Sequence, residues 1–306
     1  MLFTRRECLY LFGAGLSAAP AETPAGRWRE IAAGMDGTVG ASALHLGSGQ
    51  KVSFDGDDRF PLASVCKLPI ALHILAMADE GKLARGAEIE VLPGDVVRDF
   101  SEVAKRWPAQ KRFSLDELLR LMVATSDNTA VETLYRIGGG GAPITARLHG
   151  WGVDGMRIDR SERQCNRDAS GPTPAAKLKA MQRFIADPRD TATPNATIEL
   201  LRRLFRGELL QAASTARIIA IMEGTTTGTA RIKGMLPAGV IVAHKTGTTG
   251  SASGLNGGTN DVGVVTLPGR AGRLAVAVYI KGSRRDLADR ERTIARIARA
   301  AFDVMT

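Results

Sequence analysis

Only three cysteines and four histidines occur in the 306 residues, and aromatic side chains make up 5% of the chain. His45, His73, His149 and His244 form neither a His-x-His nor a His-Glu-x-x-His pattern, so zinc chemistry is not indicated and no metal or other cofactor is expected. His73 falls in an apolar stretch and reads as a packed core residue. Past the N-terminus, no run approaches the roughly 18 apolar residues that cross a bilayer. Internal repeats and low-complexity linkers are also missing, which argues against solenoids and flexible arrays. The net charge is +9, yet there is no helix-turn-helix, zinc-finger spacing or basic run interleaved with aromatics, so nucleic acid is not an expected partner. Arginines cluster at 202–206 and 284–299, on the polar sides of amphipathic segments, and the excess charge favours small anionic partners.

What is present is 44% hydrophobic content, enough in a chain of this length for a substantial core. The N-terminus reads Thr4-Arg5-Arg6-Glu7-Cys8-Leu9, followed by a short, mostly apolar stretch to Ala19 and then Ala19-Pro20-Ala21, an Ala-x-Ala cleavage pattern. Residues 1–21 are therefore expected to be an export signal delivering the chain to the periplasm. The paired arginines point to the twin-arginine route, and the short apolar segment fits the general secretory route nearly as well. After cleavage a monomer with no membrane partner is expected, keeping Cys66 and Cys165 in an oxidising compartment.

A helix is expected from residue 27 to 35, then a hairpin of strands Thr38–Leu46 and Lys51–Phe54 across Gly47-Ser48-Gly49-Gln50. Strand patterns return at Val240–His244, Val262–Leu267 and Leu274–Ile280. A helix follows from about 287, whose Ile294, Ile297, Ala298, Ala301 and Phe302 should pack on the sheet. Between residues 62 and 224 the periodic segments are helical, at 65–79, 114–123, 128–137, 142–149, 194–205 and 214–222. This order implies an α/β (α+β) fold: an antiparallel sheet built from both chain ends and covered by helices, plus an all-helical insert. Residues 22–61 and 225–306 form the sheet part and 62–224 the helical part, with a site expected between them.

Three short motifs carry candidate chemistry. Ser64 stands at the mouth of a helix that is apolar on most of its circumference, and Lys67, three residues on, shares its face and can reach its hydroxyl. A free lysine titrates near ~10.4, so a base role would require burial to lower that value. Ser126-Asp127-Asn128 occupies a turn into the next helix, an ordinary capping cluster by itself. Lys245-Thr246-Gly247-Thr248 ends a strand, where the glycine would let a ligand lie close to the strand edge.

Taken together and in this order, Ser-x-x-Lys, Ser-Asp-Asn and Lys-Thr-Gly resemble the signature of penicillin-recognising serine enzymes. The similarity extends to Phe60-Pro61-Leu62-Ala63, Thr129-Ala130, and Thr226-Thr227-Gly228-Thr229-Ala230-Arg231-Ile232-Lys233, and runs from about residue 28 to the end. Arg157-Ile158-Asp159-Arg160-Ser161-Glu162-Arg163-Gln164-Cys165-Asn166 resembles the omega loop of class A β-lactamases, set at about 157–190. The resemblance implies hydrolysis of small-molecule β-lactams, hence antibiotic resistance, with Ser64, Lys67, Ser126 and Glu162 as catalytic residues. It further implies that Asn166 helps Glu162 hold a water and that Asn128 holds the substrate amide. The backbone N–H groups of Ser64 and Thr248 would form an oxyanion hole. Lys245, Thr246, Gly247, Thr248 and Arg231 would line the carboxylate site.

Departures from the family pattern concentrate around that loop. Asp190-Thr191-Ala192-Thr193-Pro194 arrives after 23 intervening residues from Asn166, so the loop is enlarged, with a candidate helix at 175–185; an alternative alignment makes Thr173-Pro174 the helix start. A glycine-rich stretch, Thr249–Thr259, lengthens the chain after Lys245. Cys66 and Cys165 sit beside Ser64 and Glu162, so either a disulfide pins the loop or two buried thiols lie there. The rival readings are a penicillin-binding DD-peptidase, a slowly deacylating β-lactam binder and a small-ester hydrolase.

Overall fold

A computed structural model describes residues 23–269 and 271–306; the expected signal at 1–21 lies outside the described residues. Helix α1 (Pro24–Ala33) leads into β1 (Thr38–His45) and β2 (Lys51–Phe54), and the short β3 (Phe60–Pro61) delivers a 3-10 turn, Ala63–Cys66, that runs into α2 (Lys67–Asp79). Next, β4 (Glu88–Glu90) pairs with β5 (Arg112–Ser114) around the short α3 (Glu102–Arg106). Helices α4 (Leu115–Ala124), α5 (Asn128–Ile137), α6 (Gly141–Gly150), α7 (Glu162–Asp168) and α8 (Pro174–Ala186) follow, then β6 (Thr191–Ala192), α9 (Pro194–Phe205) and α10 (Ala212–Glu223). The chain returns to sheet with β7 (Val242–Thr248), a hairpin of β8 (Ser251–Ala252) and β9 (Leu255–Asn256), β10 (Thr259–Thr266) and β11 (Arg273–Lys281), and closes with α11 (Leu287–Met305).

The five-stranded sheet has the order β2-β1-β11-β10-β7 and is antiparallel throughout. The α+β expectation therefore holds. Successive side chains of β11 serve two cores: Ala275, Ala277 and Tyr279 face the helical side, while Leu274, Val276, Val278 and Ile280 face α1 and α11. Alternation with period two allows one strand to do both. The α11 residues Ile294, Ile297, Ala298, Ala301 and Phe302 all join the second core, as their spacing predicts. In the first core α2 is buried continuously from Lys67 to Ala76, so it runs through the interior. Among the described residues no helix is long and apolar enough to cross a membrane.

Capping side chains fix where the helices begin. Ser114 accepts the Glu117 N–H at 3.2 Å to start α4, and Asp127 accepts the Ala130 N–H at 2.9 Å to start α5. Both candidate starts in the enlarged loop are used: Thr173 caps α8 and Thr193 caps α9, each followed by proline at the first helical position. The loop is thus long because it contains a whole extra helix. Its neck is closed by Asp190, which accepts the backbone N–H groups of Asp159 and Arg160 at 2.7 and 3.0 Å and pairs with Arg160 Nε at 2.6 Å.

Both members of that ion pair are buried, so removing one leaves a charge without its main partner. Asp190→Ala should lower stability by about 3 kcal/mol, read as a shift in the urea midpoint at unchanged slope. A loss below about 0.5 kcal/mol would mean that the neck is held by other contacts.

Candidate active site

The turn that carries Ser64 is fixed from three sides. β3 pairs with β6, and the Asn260 amide of β10 donates to Pro61 O at 2.8 Å and Leu62 O at 3.1 Å. Ala63 then takes a left-handed φ of 46°, a conformation costly for a non-glycine residue, and Ser64 follows in the 3-10 turn rather than within α2 itself. β7 lies directly against this turn. A Cβ on Gly247 would sit 2.6 Å from Leu62 O and 3.0 Å from Val65 N. The sequence reading gave this glycine to a ligand; the structure gives its space to the chain's own backbone. The motif residues also lie inside β7, which extends to Thr248, and not after its end.

Lys67 and Lys245 are both fully buried. Lys67 Nζ donates to Ser126 O and Asn128 Oδ1, each at 2.7 Å, and to Ser126 Oγ at 3.2 Å, and it pairs with Glu162 Oε2 at 2.9 Å. Among the described residues these are its polar partners, so it does not bond to Ser64 as its spacing had suggested. Lys245 Nζ donates to the same Ser126 hydroxyl at 3.1 Å and to Thr246 O at 2.9 Å. Burial, reinforced by the nearby Lys67 charge, brings the Lys245 ammonium down to about 7. Ser126 takes a left-handed φ of 62°, and the buried Asp127 carboxylate behind it holds Ser101 Oγ, Val103 N and Ala130 N.

Glu162 opens α7, with Ser161 and Gln164 forming a reciprocal capping box. Asn166, one turn further on, lines a cavity of about 50 Å³ together with Ser64, Glu162, Thr248 and Thr249. That cavity opens off a larger one of about 200 Å³, lined by Ser64, Ser126, Asn128, Glu162, Arg231, Thr246 and Thr248. Of the expected site residues, Ser64, Ser126, Asn128, Glu162, Asn166, Arg231, Thr246 and Thr248 line these cavities, Lys67 and Lys245 reach them through the Ser126 hydroxyl, and Gly247 lines neither. A wider groove of about 670 Å³, lined by His73, Met77, Arg147 and Trp151, holds none of them.

Residues 24–305 match the family model described as the Beta-lactamase enzyme family. The chain is 30% identical to β-lactamase VEB-1 of Pseudomonas aeruginosa, over 87% of this chain and 84% of that protein. It is 32% identical to the carbapenem-hydrolyzing β-lactamase KPC of Klebsiella oxytoca, over 87% and 84% of the two chains. The crystal structure of a β-lactamase from Chitinophaga pinensis superposes with a TM-score of 0.82 at 34% identity, covering 92% of this chain and 98% of that one. The chain belongs to the β-lactamase enzyme family.

Within this class A β-lactamase, Arg231 is 5% exposed and is not a solvent-facing side chain. Its guanidinium donates to Gly247 O, Asn260 O and Thr248 Oγ1, the last at 2.6 Å, and pairs with Glu291 of α11 at 3.0 Å. Thr246 meets Thr227 hydroxyl to hydroxyl at 2.6 Å. Phe100 is 86% exposed, lines the cleft, and takes the Asn128 N–H on its carbonyl at 3.1 Å. Cys66 and Cys165 are free thiols lining the small cavity, and burial raises both above the usual thiol range.

Sequence reading missed Thr227, Phe100 and Glu132. Glu132 is a buried carboxylate whose Oε1 accepts the Arg163 N–H at 2.8 Å, tying α5 to the residue after Glu162, and burial raises its pKa. A signal existed, since Glu132 lies one turn beyond Asn128 on the same face of an amphipathic helix. Replacing it with leucine should slow acylation and deacylation together by at least about tenfold, as expected if the loop carboxylate it positions shifts by about 1 Å. Glu132→Gln keeps the accepting carbonyl and should retain most of the rate. Burst kinetics separate the two steps, and unchanged rates in both would contradict the assignment.

Lys245 yields a pH prediction with a defined sign. Its ammonium is charged below about 7 and neutral above, and kcat/KM reports the free enzyme. For a carboxylate-bearing β-lactam, kcat/KM should fall as pH rises through about 7, and Lys245→Arg should move that limb well above pH 9. A flat profile across this range would contradict the depressed value.

Proposed function

We propose that this β-lactamase opens the lactam through a Ser64 acyl-enzyme, which a water held by Glu162 and Asn166 then releases. The observation that carries this is the 2.9 Å ion pair between Lys67 and Glu162 in the cleft that Ser64 lines. It supports a loop carboxylate poised at the nucleophile. Ser126 O and Asn128 Oδ1 can only accept, so Lys67 meets both as a donor, and Glu162 Oε2 lies within ion-pair distance of the same amine. That favours Glu162, acting through water, as the group that takes the Ser64 proton, with Lys67 orienting it.

Ser64 Oγ then bonds to the lactam carbonyl carbon, whose oxygen lies between the N–H groups of Ser64 and Thr248. The close seat of Gly247 on the nucleophile turn supports that pairing. Ser126, bridged between Lys67 and Lys245 at 3.2 and 3.1 Å, passes a proton to the departing nitrogen as the C–N bond breaks. Lys245, Thr246, Thr248 and Arg231 receive the substrate carboxylate, and the Asn128 amide receives the side-chain carbonyl. Glu162, having returned the Ser64 proton to Ser126 through Lys67, next removes a proton from the held water, whose oxygen displaces Ser64 from the acyl carbon while that proton passes to Ser64 Oγ. Residues 1–21 serve as an export signal, with Arg5 and Arg6 favouring the twin-arginine route, and the mature enzyme acts as a periplasmic monomer that protects its host from β-lactams.

A chromogenic cephalosporin mixed with the chain lacking residues 1–21 tests this. Turnover should be steady with the unmodified enzyme, fall at least ~1,000-fold in Ser64→Ala, and in Glu162→Ala give slowed acylation that stops after one equivalent, with the acyl adduct visible by intact mass. One stoichiometric adduct on the unmodified enzyme would favour a DD-peptidase or a slowly deacylating binder instead.

A further inference from the structure

The enlarged loop and the glycine-rich stretch after Thr248 meet each other. Met181 and Phe184 of α8 pack with Ala252 and Leu255 of the β8–β9 hairpin in a small apolar cluster separate from the two main cores, and Cys165, Ala169, Leu178 and Ile185 pack against it. The fit is close: a Cβ on Gly257 would lie 2.8 Å from Met181 Sδ. The hairpin side is rigidly tied. Asn256 Nδ2 donates to Thr249 O at 3.0 Å, Asn256 N to Ser283 O at 2.9 Å, and Arg284 Nη1 to Ser253 O at 2.7 Å. The loop side carries Glu162, because Cys165 and Ala169 continue from α7 into the cluster.

Between the two sides lies the 50 Å³ cavity, walled by Phe184 as well as by Glu162, Asn166, Thr248 and Thr249. A cavity of about 150 Å³ admits benzene. One of a third that size takes a water or a methylene- or methyl-sized group next to the amide, but not a branched one. The gap shares Ser64, Glu162 and Thr248 with the larger cavity that Asn128 lines, so a substituent on an amide held at Asn128 has this gap beside it.

We propose that Met181 and Leu255 are specificity-determining residues: the apolar clasp they close between α8 and the β8–β9 hairpin fixes the gap between Glu162 and Thr248, and so disfavours β-lactams branched next to the side-chain amide. Neither residue lines the gap, so each acts through the clasp. The proposal rests on the reading of Ser64 as nucleophile and Asn128 as amide holder.

The test compares kcat/KM for benzylpenicillin, which has an unbranched arylacetyl side chain, with that for a cephalosporin carrying a branched carboxyalkyl-oxyimino group. The mature enzyme is measured alongside Met181→Ala, Leu255→Ala, the double variant and the volume-conserving Met181→Leu. The branched-to-unbranched ratio should rise at least about tenfold in both alanine variants, rise no further in the double variant, and stay put in Met181→Leu. Ile297→Val, remote in the second core, controls for lost stability: it should lower the melting temperature without moving the ratio. An unchanged ratio in folded alanine variants, or equal losses on both substrates, would overturn the clasp. Failure of the unmodified enzyme to form an acyl adduct with either compound would instead overturn the site assignment, and the clasp with it.

Discussion

Lys67 is wholly buried, and an ammonium taken out of water must be met by acceptors on every side. The chain supplies them from three places: a serine carbonyl held at positive φ, an asparagine at the start of α5, and a carboxylate at the start of α7. Each of these sits on an element whose own position is pinned elsewhere. The Asp127 carboxylate braces the Ser126 turn, and Glu132 ties α5 to the loop. Satisfying one lysine thus gathers the groups that a serine hydrolase needs around Ser64.

The second constraint is the contact of β7 with the nucleophile turn. Gly247 has no room for a side chain, and Asn260 holds the carbonyls of Pro61 and Leu62, so the sheet edge and the turn cannot move apart independently. Arg231 braces the far side of the same strand, reaching from a buried ion pair with Glu291 to the Thr248 hydroxyl. The cleft is therefore a junction of two cores. One is built by α2, α4 and α5 and one by α11 and the sheet, and the loop closed by Arg160 and Asp190 supplies a further wall.

Much of this was legible in the sequence. Strand alternation and helical spacing located the sheet and the long helices, since both periods follow directly from burial of one face. The three motifs located the cleft because each needs its residue types at a fixed spacing. The β8–β9 hairpin was not legible: its strands are two residues each, too short for any period, and it is held by contacts to Ser283 and Arg284 far along the chain. Gly247 was read by its chemistry toward a ligand, while its real neighbour is Leu62, which no local pattern could name. The extra helix α8 was visible as a candidate, but its partner across the gap was not. Likewise Glu132 shares the Asn128 face of α5, but its partner, the Arg163 N–H of α7, lies 31 residues along the chain, beyond any local pattern.

The central claim is that Glu162, held by Lys67, stays beside Ser64 while the acyl group is attached. A crystal structure of the Glu162→Gln enzyme, trapped with a slowly released β-lactam on Ser64, measures this most directly. The account predicts that the introduced amide still lies about 3 Å from Lys67 Nζ, with an ordered water about 3 Å from that amide, from the Asn166 side chain and from the ester carbonyl carbon. An α7 swung into solvent, or a water site occupied by the loop itself, would contradict it.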